Sequence, residues 1–115
     1  MLLPKKLQAA IENEGFSIYQ CDESVFDFGK YSPAGMDFHF WADTENDIHY
    51  FADNILSLYQ DFDVSSETYL WLDQNGHGKN GAPYDMKDVY IDLEYCQKYI
   101  DDLYQIVSAF ANQEA

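Results

Sequence analysis

The chain has 115 residues, 47% of them hydrophobic and 17% aromatic, and 21 Asp and Glu stand against 6 Lys and no Arg for a formal charge of -15. The apolar content excludes a disordered acidic tail. The charge excludes direct binding to nucleic acid or anionic lipid, both of which need basic groups to neutralise phosphate. At this length one hydrophobic core is expected, and residues 1–115 are read as a single acidic domain.

The N-terminus, Met1-Leu2-Leu3-Pro4-Lys5-Lys6, lacks the apolar stretch of a signal peptide, and no window approaches the length of a membrane span. Cys21 and Cys96 stand far apart, in no metal or redox spacing. The reading is a cytoplasmic protein with both thiols reduced and no membrane partner.

A short helix is predicted after Pro4, with Leu7, Ala10 and Ile11 at helical spacing, closing at Gly15. Phe16, Ile18 and Gln20 then alternate with Ser17, Tyr19 and Cys21 as a strand, and Asp22-Glu23-Ser24 turns the chain. From Val25 to Asp43 a hairpin is predicted. Phe26 and Phe28 mark one arm, Met36, Phe38, Phe40 and Ala42 the other, and Ser32-Pro33-Ala34-Gly35 supplies the turn. The opposite face of the second arm carries Asp37, His39, Trp41 and Asp43, which makes Trp41 an exposed aromatic if that face is solvated.

Thr44 and Asp47 resemble a capping box, with Asp in place of Glu, at the head of a helix from Glu45. Its apolar positions run Ile48, Phe51, Ala52, Ile55, Leu56, Tyr59 and Phe62. The aromatic and apolar run Tyr69-Leu70-Trp71-Leu72 predicts a strand over Thr68 to Asp73. Gln74 to Pro83, with Gly76, Gly78 and Gly81, reads as a long flexible loop. A last long helix from Tyr84 has Val89, Leu93, Cys96, Ile100, Leu103, Val107 and Phe110 at alternating spacings of four and three, with fraying at Gln113-Glu114-Ala115. The fold class is therefore α+β. A three- or four-stranded, mixed sheet containing the hairpin is packed on one face by two main helices plus the short N-terminal one. If the strand at Thr68 neighbours the hairpin, the intervening helix favours a parallel, right-handed crossover.

No motif in the chain carries catalytic or cofactor chemistry. Gly76-His77-Gly78-Lys79-Asn80-Gly81 has glycines and a lysine as phosphate loops do, but it lacks the Walker spacing and the Ser or Thr after the lysine. Asp61-Phe62-Asp63-Val64-Ser65 matches the first half of a calcium loop; Ser66 and Leu72 occupy the positions of its glycine and its bidentate glutamate. His39, His49 and His77 fall on a strand, a helix and a loop, with no local pair to nucleate a zinc site. No catalytic residue, metal or cofactor is expected.

The remaining candidate is a surface. On the last helix Asp85, Asp88, Asp92, Tyr95, Tyr99 and Asp102 form a stripe beside the apolar seam, flanked by Glu94 and Asp101. Over the helical rise of about 26 Å between Asp85 and Asp102, one DNA strand carries roughly seven or eight phosphates. The six acids there approach that density. Lys87 and Lys98 partly cancel them, and a charged helix face is in most proteins a solvated one.

The segments Phe28-Gly29-Lys30-Tyr31-Ser32-Pro33-Ala34-Gly35-Met36-Asp37-Phe38, Asp61-Phe62-Asp63, Leu70-Trp71-Leu72-Asp73 and Gly76-His77-Gly78-Lys79-Asn80-Gly81-Ala82-Pro83 resemble a group of small acidic proteins of gut bacteria and their mobile elements. The resemblance spans about Phe16 to the end of the last helix. It implies a host setting and no particular chemistry. Mobile elements encode small acidic proteins that block nucleases by filling their basic grooves, an analogy of class that transfers no residue.

The expectation is a non-enzymatic interaction domain. It presents Asp85, Asp88, Asp92, Tyr95, Tyr99 and Asp102, together with Trp41, to a basic protein surface, with duplex mimicry of a nucleic-acid-binding enzyme's substrate as a special case. Two rivals come from other classes. One is a small metal-dependent enzyme or hydrolase with its site near His77 and the glycine loop. The other is a self-associating homo-oligomer that uses Trp41 or the Val89 to Phe110 seam.

Overall fold

The computed structural model describes residues 3–114; Met1, Leu2 and Ala115 lie outside them. Helix α1, Lys5–Asn13, begins as the Gln8 N–H bonds the Pro4 carbonyl at 2.9 Å, buries Leu7 and Ile11, and closes where the Gly15 N–H bonds Glu12 O. Three strands follow: β1, Ser17–Gln20, β2, Val25–Tyr31, and β3, Asp37–Asp43. They form one antiparallel sheet in the order β1-β2-β3, with Phe28 opposite Ile18 on one side and Phe40 on the other.

Each turn of this meander is closed by a short side chain. Asp22 Oδ1 accepts from the N–H groups of Ser24 and Val25 between β1 and β2, and Ser32 Oγ accepts from Met36 N–H between β2 and β3. The period-two pattern then sends Phe26, Phe28, Phe38, Phe40 and Ala42 to the inner face, all buried. Burial of each phenyl contributes about 1.5–3 kcal/mol. Phe28 stacks on Phe51 of the following helix with centroids 5.9 Å apart, which fixes how that helix lies on the sheet.

That helix, α2, spans Ile48–Asp61 and buries Phe51, Ala52 and Ile55. Its cap is Asp47 rather than Thr44, because the Asp47 carboxylate accepts from the N–H groups of His49 and Tyr50 while Thr44 is fully buried and turns the chain. The strand predicted over Thr68 to Asp73 is not one. Residues Val64–Leu70 form helix α3, capped by Asp63, whose Oδ1 accepts from Ser65 and Ser66 N–H, and braced by Thr68 Oγ1 donating to Val64 O at 2.7 Å.

Strand propensity measures fit to a pleated, half-buried surface, and this segment does not join the sheet. Instead Thr68 and Leu72, four residues apart, are buried, while Tyr69 and Leu70 are 69% and 67% exposed. The sheet therefore has three strands and no parallel pair, and the crossover has no strand to make it.

The glycine-rich connection, expected to be an open flexible loop, is folded back on itself. Leu72 bridges Gly78, His77 bridges Asp85, and the Lys79 N–H bonds Trp71 O at 2.9 Å. Gly78 must be glycine, because a Cβ there would collide with the Pro83 carbonyl. Helix α4, Met86–Glu114, then runs 29 residues, about 43 Å at 1.5 Å each, and accounts for the elongated 49 × 23 × 22 Å shape. Its seam residues Val89, Leu93, Cys96, Ile100, Leu103 and Val107 are all buried in the core beneath α1, α2, α3 and the sheet. From Val89 to Val107 the seam is thus used within the chain's own fold, and Phe110 at its end is half-buried.

Candidate functional site

The stripe read from α4 divides in the folded chain. Asp85, Asp88 and Tyr95 are exposed. Asp85 immediately precedes the helix and its carbonyl takes the first helical bond, from Val89 N–H at 3.1 Å. Asp92 leaves the stripe, since it is 4% exposed and its Oδ1 accepts from the Ala34 N–H of the β2–β3 turn at 3.0 Å. The apolar seam is wide enough to carry Asp92 inward with Leu93, and the carboxylate clamps the turn to the helix. Its Oδ2 has no hydrogen-bond partner.

Tyr99 is likewise committed to the fold, and Asp102 is half-buried and paired on its own helix. The Tyr99 hydroxyl donates to Tyr31 O at 3.1 Å, and its ring lies under Lys30 Nζ, 4.4 Å from the centroid. Burial is the main influence raising the Tyr99 hydroxyl above its usual pKa, and the carboxylates of Asp92 and Asp102 act the same way. Lys98 Nζ bonds Asp102 at 2.9 Å one helical turn away. The phosphate-like row is therefore interrupted at Asp92 and at Asp102.

What remains open is the N-terminal part of α4 and, beside it, α3. A groove of about 440 Å³ lies between the two helices, lined by Thr68, Tyr69, Met86, Tyr90, Ile91 and Glu94 among others. Tyr69, Tyr84, Met86, Tyr90, Ile91 and Tyr95 are all exposed there or close by in sequence. Aromatic and methionine side chains are enriched at protein interfaces, whereas lone exposed apolar residues are unremarkable. Glu94 and Lys87 are the charged residues that line the groove, and exposed Asp85 and Asp88 adjoin its lining residues Met86 and Lys87 in sequence. The sequence reading named Asp85, Asp88 and Tyr95 but missed Tyr69, Leu70 and Ile91, because Tyr69 and Leu70 were assigned to a strand. Asp63, followed at Glu67 by an acid in the first turn, was the signal for a helix there.

A second assembly covers the outer face of the sheet. Trp41 is 58% exposed, as expected, and its register places it in one row with Asp27 and the exposed Tyr19. Next to it the His39 ring lies across Gly29, where a Cβ would strike the imidazole. Nδ1 faces Asp27 at 3.0 Å and Nε2 faces Asp37 at 2.9 Å. Two carboxylate acceptors require both ring nitrogens to donate, which is the imidazolium state. Desolvation, the largest single influence, lowers the pKa, but the hydrogen bonds and charges of Asp27 and Asp37 together outweigh it and leave His39 above the ordinary 6.5.

Other sequence candidates make contacts within the fold. His77 stacks on Tyr84 with centroids 4.0 Å apart and bonds its hydroxyl at 3.0 Å, while the Asp73 carboxylate holds the N–H groups of Asn75 and His77. Asp63, from the half-matched calcium loop, is the α3 cap. Cys96 is buried, chiefly by which its pKa is pushed up to about 12, and Cys21 is exposed. Among the described residues no group of three or more His, Cys, Asp or Glu is placed to hold a metal, and no helix is long and apolar enough to cross a membrane. No protein-family model, curated protein or solved structure matches the chain.

Proposed function

We propose that the protein is a non-enzymatic interaction domain, and that its α3–α4 groove receives a basic, apolar-faced segment of a partner protein. The observation that supports this reading is the run of exposed Tyr69, Met86, Tyr90 and Ile91 around one groove that Glu94 also lines, with exposed Asp85 and Asp88 next to Met86 and Lys87 in sequence. Two helices flanking an apolar groove match the way an amphipathic helix is taken up, apolar face inward. The aromatic side chains supply contact area there, and the carboxylates steer a cationic partner in and reject anionic ones. With the acidic row broken at Asp92 and Asp102, a partner that reads the spacing of a phosphate strand is served less well than one that fills the groove.

A photo-cross-linking residue in place of Tyr90, with a second in place of Gln105 as control, tests the reading in host cells. A discrete adduct with a basic protein at position 90, absent at 105 and lost with Asp85→Lys, Asp88→Lys and Glu94→Lys together, is expected. Equal adducts at both positions, or none, would overturn it.

A further inference from the structure

We infer that the free edge of β3 around His39 and Trp41 is a docking strand, which takes an extended basic segment of another protein as a fourth strand of the sheet. This surface shares no lining residue with the α3–α4 groove, although Glu67 of α3 and Ile100 of α4 line it, and it does not depend on the function proposed for that groove.

The direction of the β3 backbone carries the inference. In an antiparallel pair, residues alternate between those that bond the neighbouring strand and those that point away. Thr44 N–H bonds Ser24 O, and Ser32 N–H bonds Met36 O, at the two ends of the β2–β3 register. That phase assigns Phe38, Phe40 and Ala42 to β2. It aims the N–H and C=O groups of Asp37, His39, Trp41 and Asp43 away from the sheet. The Cys21 N–H to Val25 O bond sets the same phase independently from the β1 side.

One outward group confirms it by its partner, since Asn54 Oδ1 on α2 accepts from Asp43 N–H at 2.8 Å. Along β3 α2 thus caps the edge at Asp43. At His39 and Trp41 the edge opens instead into a groove of about 360 Å³, whose far wall is formed by Leu58, Asp61, Phe62, Glu67 and Trp71.

An unpaired edge is a template for another strand, and proteins that do not use one block it with proline, charged side chains, a bulge or a covering helix. Asp37–Asp43, which reads Asp-Phe-His-Phe-Trp-Ala-Asp, holds no proline, lysine or bulge; its charges are Asp37, paired with His39, and Asp43, where α2 caps the edge. The occupant follows from the walls. Leu58, Phe62 and Trp71 call for apolar side chains at alternate positions, and Asp61 and Glu67 call for Lys or Arg between them. Burial raises the Glu67 carboxyl above its ordinary pKa, and a cation beside it would act in the opposite direction by favouring the carboxylate. A second copy of this chain fits poorly, because each carries -15 and edge-to-edge pairing would bring Asp37, Asp61 and Glu67 towards their own equivalents.

The test uses the full-length protein and a labelled heptapeptide, Lys-Val-Lys-Val-Lys-Val-Lys, with one analogue N-methylated at the valines and another N-methylated at the two inner lysines. Binding is followed by anisotropy at low salt and by amide exchange of β3. One N-methylated series should lose at least tenfold in affinity and the other less than about threefold, since only alternate N–H groups of an added strand face β3. The His39 and Trp41 amides should exchange fast in the free protein, unlike Phe40, and become protected by the peptide. Asp61→Lys with Glu67→Lys, which alters no ladder bond, should weaken binding tenfold or more. Equal losses in both series, no binding, unchanged protection at His39 and Trp41, or edge pairing between two copies would each overturn the inference.

Discussion

Between Met86 and Tyr95, α4 presents Tyr90, Ile91, Glu94 and Tyr95 to solvent, whereas Asp92 beside them, and Tyr99 and Asp102 further on, are tied to the β2–β3 turn, the Tyr31 carbonyl and Lys98. Both stretches carry acids and tyrosines. Their difference is what lies opposite. The meander and α1 cover the later stretch, while α3 covers the start of the helix only along one side and leaves a groove. A carboxylate on an acidic helix thus says nothing of its role until its neighbours are known, because burial and hydrogen bonding, not charge, decide whether it holds the fold or faces a partner.

The contrast breaks most visibly when the seam is compared with the open face. Leu93→Ala should cost about 2–5 kcal/mol in urea unfolding, while Ile91→Ala, two residues away and 42% exposed, should stay within about 0.5 kcal/mol. A comparable loss at both positions would mean that the groove is closed in solution. A finer cut separates the acids themselves. Asp92→Ala removes the buried carboxylate that accepts from the Ala34 N–H and should cost about 1.5–3 kcal/mol, the range for a hydrogen bond to a charged group, whereas Glu94→Ala should change stability by less than about 0.5 kcal/mol. If Asp92→Ala is neutral, the clamp between α4 and the turn is not a stabilising contact.

The smallest effect concerns the outer sheet face. The folded protein raises the His39 pKa, so it favours the imidazolium, and the stability this contributes is fully present below about pH 6.5. It is lost as pH rises through the folded-state pKa. With about a third of the side chain exposed the effect on stability is slight, and the readout is the titration itself. The His39 ring resonances should show a midpoint above 6.5 that falls in Asp27→Asn. A wild-type midpoint at or below 6.5 would mean that the two carboxylates do not hold the ring as drawn here.

Much of the fold was legible in advance. The meander was visible because Phe26, Phe28, Phe38 and Phe40 keep a strict period of two around Ser32-Pro33-Ala34-Gly35, and α4 because its seam keeps a helical period over more than twenty residues. Thr68 to Asp73 failed because four consecutive aromatic and aliphatic residues carry no period of their own. Asp63 capping and the burial of Thr68 and Leu72 on one side decided the helix. Of the candidate surface, Asp85, Asp88, Tyr95 and Trp41 were placed in solvent as read, while Asp92, Tyr99 and Asp102 were not.

By itself the sequence determined the α+β class, the hairpin, the two long helices and the acidic charge, since periodicity and charge are properties of the chain alone. Only the tertiary structure decided that the sheet stops at three antiparallel strands, that Asp92 is a clamp, that His39 is gripped by two carboxylates, and that β3 keeps an open edge. Each of these depends on which residues distant in sequence come to lie opposite one another, and in a chain with 21 acids and 10 tyrosines local pattern cannot tell one such residue from the next.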